Sequence, residues 1–193
     1  QKVVVLPLYP QYSTTTTESV RDLVTREACG LDVRFIEDYP VDPGWVAAVV
    51  GSIRSWRAEH GASEHLLFSY HGLPQRLARN GDPYPQRCEA STRGIVQALG
   101  LRDGEWTLTY QSRFGKERWL EPATDATLQA MAARGVRRVH VVCPGFAADR
   151  LETLEEIAMQ NAELFHAAGG EALRYIPCLN DAPAHADALA ALA

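Results

Sequence analysis

Short apolar, β-branched runs alternate with longer stretches of helical periodicity along the whole chain. Strands are expected at residues 2–8, 32–36, 65–70, 107–111, 138–143 and 173–177, each bounded by Gly, Pro, Asp or Ser. The clearest helical pattern is residues 43–60, where Trp45, Val49, Ile53 and Trp56 recur on one face and Pro43 and Gly61 bracket the segment. Residues 16–28, 85–99, 124–133 and 151–168 are expected helices that stop at Gly30, Gly100, Gly135 and Gly169-Gly170. An Ala-rich tail, 182–193, is helical by propensity.

Strand alternating with helix specifies an α/β protein: a parallel sheet with helices on both faces, a Rossmann-like three-layer arrangement. In such sheets ligands sit beyond the carboxyl ends of the strands. The unusual clusters of this chain fall there. His71 follows one strand, Ser112-Arg113 another, and Pro144-Gly145-Phe146 a third.

Composition narrows the possibilities. The 193 residues carry a net charge of −5, which excludes a basic nucleic-acid footprint. No apolar run approaches the 18 or so residues of a transmembrane helix, so membrane association is expected to be peripheral at most. Cys29, Cys88, Cys143 and Cys178 are dispersed and form no Cys-x-x-Cys pair, which fits reduced thiols and a cytoplasmic location. No signal peptide opens the sequence, and a start at Gln1 just before an apolar strand implies further residues in front.

Several common site motifs are missing. No Gly-x-Gly-x-x-Gly follows a strand, Gly115-Lys116 lacks the upstream glycine of a phosphate loop, and there is no His-Glu-x-x-His or Gly-x-Ser-x-Gly. What remains is an imidazole, carboxylates and aromatic side chains. A histidine after a buried strand, followed by Gly72-Leu73-Pro74, is rigidly held, and an imidazole titrates near neutrality and ligates borderline metals. Its plain alternative is a loop hydrogen bond. Tyr84 lies in Gly81-Asp82-Pro83-Tyr84-Pro85, a turn into a helix in which the tyrosine could line a pocket. Arg113 suits a carboxylate and Trp119 a large flat ring, or equally an ion pair and a core position. Asp149 and Glu152 have capping-box spacing at the start of a helix. Glu152 and Glu156 lie four apart on one helical face continued by Gln160, a repulsive pair that a bound cation would relieve.

Together the blocks Leu8-Tyr9-Pro10-Gln11-Tyr12-Ser13, Ser69-Tyr70-His71-Gly72-Leu73-Pro74, Gly81-Asp82-Pro83-Tyr84, Tyr110-Gln111-Ser112-Arg113-Phe114-Gly115 and Leu151-Glu152-Thr153-Leu154-Glu155-Glu156 resemble the ferrochelatases in order and spacing. The resemblance implies two α/β domains with a porphyrin cleft between them. Residues 1–30 would then be a remnant of the N-terminal domain, 31–180 the C-terminal chelatase domain, and 181–193 a C-terminal helix clipped at its end. It further implies insertion of ferrous iron into protoporphyrin IX, with His71 and Glu152 facing each other as catalytic groups. The metal would meet His71, Glu152 and Glu156. Tyr12, Ser13, Tyr84, Arg113, Trp119 and Phe146 would hold the porphyrin.

Iron enters as substrate, with no permanently bound cofactor. Some relatives carry an iron–sulfur cluster, but Thr14 stands where its cysteine would be and no cysteine-bearing C-terminal extension follows, so no cluster is expected. Two further departures are Gln160, an amide where the acidic row has its third member, and Arg150, where many relatives have His or Cys. A chelatase for cobalt and another tetrapyrrole would use the same His and Glu, and a piece lacking its front domain could bind porphyrin or metal without turnover. Both alternatives stay open at this level.

Overall fold

The computed structural model describes residues 2–193. Six strands and seven α-helices alternate: β1 (Lys2–Val5), α1 (Thr17–Glu27), β2 (Asp32–Phe35), α2 (Pro43–His60), β3 (His65–His71), α3 (Gln75–Arg79), α4 (Tyr84–Leu99), β4 (Trp106–Gln111), α5 (Thr124–Ala133), β5 (Arg138–Val142), α6 (Ala162–Ala167), β6 (Ala172–Ile176) and α7 (Pro183–Leu192). Between β5 and α6 runs a π-helical segment, Glu152–Asn161. Every strand pairing is parallel, as the alternation requires, but the strands form two sheets. β1 pairs with β2, and the other four lie in the order β4-β3-β5-β6.

The larger sheet has a core on each face. β3 reads His-Leu-Leu-Phe-Ser-Tyr-His and is buried along its whole length except at His71. Its alternate residues serve opposite layers. Leu66, Phe68 and Tyr70 pack with Trp45, Val49 and Ile53 of α2 and Cys88 and Ile95 of α4. Leu67 packs on the other face with Leu128 and Met131 of α5, Ile157 and Phe165. Burial of both faces explains why the strand sequence is a continuous apolar run and not an alternating one.

The order of the strands places the site. From β3 the chain crosses by α4 to β4 on one side, then by α5 to β5 on the other side of β3. The crossover helices lie on opposite faces, so a crevice opens outside the carboxyl end of β3, the topological switch point of an open α/β sheet. His71 is the last residue of that strand.

The structure departs from the sequence reading at four points. β1 ends at Val5 and not at Leu8, because Pro7 has no N–H to continue a ladder. The short helix α3 was not foreseen between His71 and α4. The helix expected over 151–168 is α-helical only from Ala162; before that it widens into the π form, with Asn161 Nδ2 donating to the Glu156 carbonyl at 2.9 Å. A π segment is rare and concentrates at functional sites. Capping-box spacing at Asp149 and Glu152 also misleads. Asp149 Oδ1 accepts from Tyr175 Oη at 2.5 Å, from the Cys178 amide at 3.2 Å and from Thr153 Oγ1 at 3.2 Å, so the carboxylate ties β6 and its following loop to the Thr153 side chain and caps no backbone N–H of the helix. Burial opposes ionisation of Asp149, but its hydrogen bonds from Tyr175, Asn180 and Cys178 outweigh that and hold the carboxyl below its usual range.

His140 on β5 is 3% exposed and its Nδ1 has no partner among the described residues. Burial first, then the nearby Arg57, Arg174 and His60, push its pKa down to about 4. The folded chain therefore keeps His140 neutral where an unfolded chain would protonate it, below about pH 6.5. The unfolded state binds more protons in the window between those values, so stability falls as pH drops through it. Urea unfolding of the protein should lose on the order of 2 kcal/mol between pH 7 and pH 4 beyond the loss shown by His140→Leu. Parallel pH curves for the two proteins would contradict this.

Candidate functional site

The site grows from three strand ends. β3 delivers His71, β4 delivers Gln111 and Ser112, and β5 leads into Cys143-Pro144-Gly145-Phe146. His71 and Gln111 are register partners on neighbouring strands. His71 Nδ1 donates to the Gly72 carbonyl at 2.7 Å. A carbonyl can only accept, so Nδ1 carries the proton and Nε2 keeps the lone pair of the neutral ring. That tautomer leaves one nitrogen free to take a proton or a metal.

His71 lines two adjoining cavities. The first, of about 240 Å³, also has Tyr9, Gln11, Ser13, Leu73, Tyr84 and Phe146 on its walls and is largely apolar. The rings of His71 and Phe146 lie 6.3 Å apart at 46°. The second, of about 440 Å³, adds Trp119 and Phe114. Trp119 is 8% exposed; its Nε1 donates to the Phe114 carbonyl at 2.9 Å, and the two rings lie 4.8 Å apart. The loop that carries them folds back onto the residues after His71. The amide of Leu120 donates to the Leu73 carbonyl and that of Gln75 to the Arg118 carbonyl, both at 2.8 Å. Backbone bonds thus tether the tryptophan to the histidine's own loop.

The acidic residues lie beyond Gln111. Its Nε2 donates to the backbone carbonyl of Glu152 at 2.6 Å. Glu156 receives Ser112, the backbone N–H at 2.7 Å and Oγ at 2.6 Å on its two carboxylate oxygens. Ser112 has φ +63°, a left-handed conformation uncommon outside glycine, and this pair of charge-assisted bonds helps hold it there. Glu152 and Glu156 line an open recess of about 430 Å³ with Arg113, Phe114 and Gln160. A polar cavity of about 610 Å³ joins Glu156 and Gln160 to Arg113 and Trp119.

The candidates named from sequence therefore fall into groups. Ser13, Tyr84, Phe146 and His71 share one cavity; Trp119 and His71 share the next. Neither of these includes Glu152, whose recess meets the second cavity at Phe114. Arg113 is exposed and its Nη2 lies 2.7 Å from both oxygens of Asp125, the ion-paired alternative. Tyr12 lines none of these cavities; its hydroxyl donates to Glu18 at 2.8 Å, and desolvation together with that bond pushes its pKa up to about 12. No group of three or more His, Cys, Asp or Glu side chains arranged to hold a metal occurs among the described residues.

Sequence reasoning left out Gln111, Phe114 and Asp82. Gln111 is buried, links the Glu152 carbonyl to Ser69 Oγ, and is the bridge between the histidine and acidic groups. Its position at a strand end beside the histidine's strand was the available signal. Phe114 is 73% exposed and lines both the second cavity and the acidic recess, a placement with no sequence signal.

The fold defines a class, the open three-layer α/β proteins with a cleft at the switch point. A solved structure titled "SirB from Bacillus subtilis with Fe3+" shares it with a TM-score of 0.60 over 97% of this chain and 68% of that one, at 13% identity. The sequence is more specific. The model of the family described as Ferrochelatase matches residues 1–193, and the chain belongs to that family. Curated proteins named Ferrochelatase from Stenotrophomonas maltophilia (strain R551-3) and Xylella fastidiosa (strain M12) are 59% and 58% identical over the whole chain, and one from Vibrio parahaemolyticus is 50% identical. The chain spans 61% of the length of these relatives.

The bonds between Ser112 and Glu156 make a stability prediction independent of activity. Glu156→Ala leaves the Ser112 amide without its acceptor and should cost about 1–2 kcal/mol in chemical denaturation, with Ser112→Ala costing less. Unchanged midpoints for both would show that the carboxylate does not hold this loop.

Proposed function

We propose that the protein inserts ferrous iron into protoporphyrin IX to form protohaem, the residues described here supplying the wall of the cleft that bears the base. The observation that carries this is His71. Its Nε2 is left as a lone-pair nitrogen at the switch point of the sheet, beside Phe146 and Trp119, in a chain of the ferrochelatase family. The reaction breaks two pyrrole N–H bonds, forms four iron–nitrogen bonds and releases two protons; iron stays ferrous, and no oxidant is needed.

His71 accepts a pyrrole proton at Nε2 and touches the incoming metal. Phe146 and Trp119 hold the flat macrocycle against that nitrogen, with Ser13 and Tyr84 lining the same cavity as Phe146. Glu152 is its partner as metal ligand or proton acceptor, reached along Gln111, and Glu156 guides iron or carries protons outward. Since the carboxylate of Glu156 already accepts two bonds from Ser112, it would serve as a fixed anion more than as a mobile ligand. Tyr12 and Arg113 belong to the proposed porphyrin site only through neighbours, as each already has an acidic partner. No helix among the described residues is long and apolar enough to cross a membrane, and the proposed setting is the cytoplasm with at most peripheral membrane contact.

Zinc insertion into a porphyrin, followed by absorbance, tests the role of His71 in the full-length gene product. His71→Ala should lower turnover on the order of 100-fold or more, the scale of a lost general base. Near-normal zinc or iron insertion by that variant would refute the role.

A further inference from the structure

Asp82 is 3% exposed, and its carboxylate gathers four hydrogen bonds, three from a distant stretch of chain and one from its own turn. Oδ2 accepts from Ser13 Oγ at 2.9 Å, from the Thr14 amide at 2.9 Å and from Thr14 Oγ1 at 2.6 Å. Oδ1 accepts from the Tyr84 amide at 2.9 Å, at the amino end of α4. Pro83 and Pro85 flank that tyrosine and have no N–H, so Tyr84 supplies the donor that this turn can offer. Gly81, at φ +98°, lets the chain turn inward just before the aspartate.

A buried carboxylate is tolerated when its lone pairs are filled, and here two walls of one cavity fill them. Ser13 and Tyr84 both face the cavity that His71 and Phe146 line, together with Thr15 and Thr16. The start of the same segment is anchored separately: Gln11 Nε2 donates to Ser91 Oγ at 2.9 Å, which donates to the Pro40 carbonyl at 2.7 Å. Residues 13–16 have no such second anchor to α4. Their attachment there runs through Asp82.

We infer that Asp82 is a positioning residue for porphyrin binding: it clamps residues 13–16 to the start of α4 so that this part of the wall of the cavity lined by His71 keeps its place. This rests on the proposed reading of the cleft as a porphyrin site, and assigns to Asp82 no contact with the ring. An asparagine there is not a conservative change. Its amide has a single acceptor oxygen, so in either orientation an NH2 group would face an N–H or O–H that the carboxylate now accepts.

The test is zinc insertion at varied porphyrin concentration, with porphyrin binding measured by fluorescence titration without metal, in the full-length gene product. Asp82→Asn should raise the porphyrin KM and dissociation constant about tenfold while kcat stays within about twofold, the scale of one or two charge-assisted bonds lost from the binding-competent state. Thr14→Val removes the 2.6 Å bond and should give a smaller rise in the same direction, whereas Thr14→Ser keeps the hydroxyl and should match the parent. An unchanged KM in Asp82→Asn, or a loss confined to kcat, overturns the inference. Should Asp82→Asn not fold, the Thr14 pair decides alone: equal KM values in Val and Ser variants overturn it. A parent protein that binds no porphyrin overturns the functional reading itself and this inference with it.

Discussion

A strand buried on both faces and paired with a neighbour up to its last residue has little freedom at its end. β3 is that strand. Its backbone pairs with β5 from His65 to Phe68 and with β4 from Leu66 to His71, its side chains are packed between two helical layers, and His71 is the first residue to emerge. The imidazole inherits this rigidity, and the bond from Nδ1 to the Gly72 carbonyl fixes which nitrogen it presents. The aromatic residues, the hydroxyl-rich wall and the acidic helix are each placed by reference to β3. Trp119 is tethered through the loop after His71, Ser13 through Asp82 to the helix that follows, and Glu152 through Gln111, the register partner of His71.

Strands and most helices were legible because burial on two faces writes long apolar runs between glycine stops. The segment 65–70 and the helix Pro43–His60 need nothing beyond periodicity. The failures have physical causes. Pro7 cuts β1 short although the apolar run continues past it. Residues 152–161 have the composition of an ordinary helix, and the bond that Gln111 makes to the Glu152 carbonyl comes from a distant strand end that local sequence does not show. Asp149 matches a capping pattern but is captured by Tyr175 and Cys178, residues far along the chain.

The site divides similarly. His71 ends β3 and Tyr84 starts α4, Trp119 and Phe146 lie in the loops that follow β4 and β5, and the fold brings each of the three others to a cavity with His71. Arg113 was chosen for residue type and Tyr12 from the family resemblance, and each has a nearby carboxylate that neither ground reveals. The acidic helix lies beside the histidine's cavities and not within them, separated by an exposed phenylalanine. Asp82 looked like a simple turn residue, since its partners Ser13 and Thr14 come from far along the sequence.

The central claim is that a flat macrocycle lies against the imidazole at the end of β3. A crystal structure of the full-length gene product with protoporphyrin bound tests it directly. The ring is expected between Phe146 and Trp119, its pyrrole nitrogens within reach of His71 Nε2. A porphyrin lodged elsewhere, or one seated there with its nitrogens turned away from that atom, would contradict the claim.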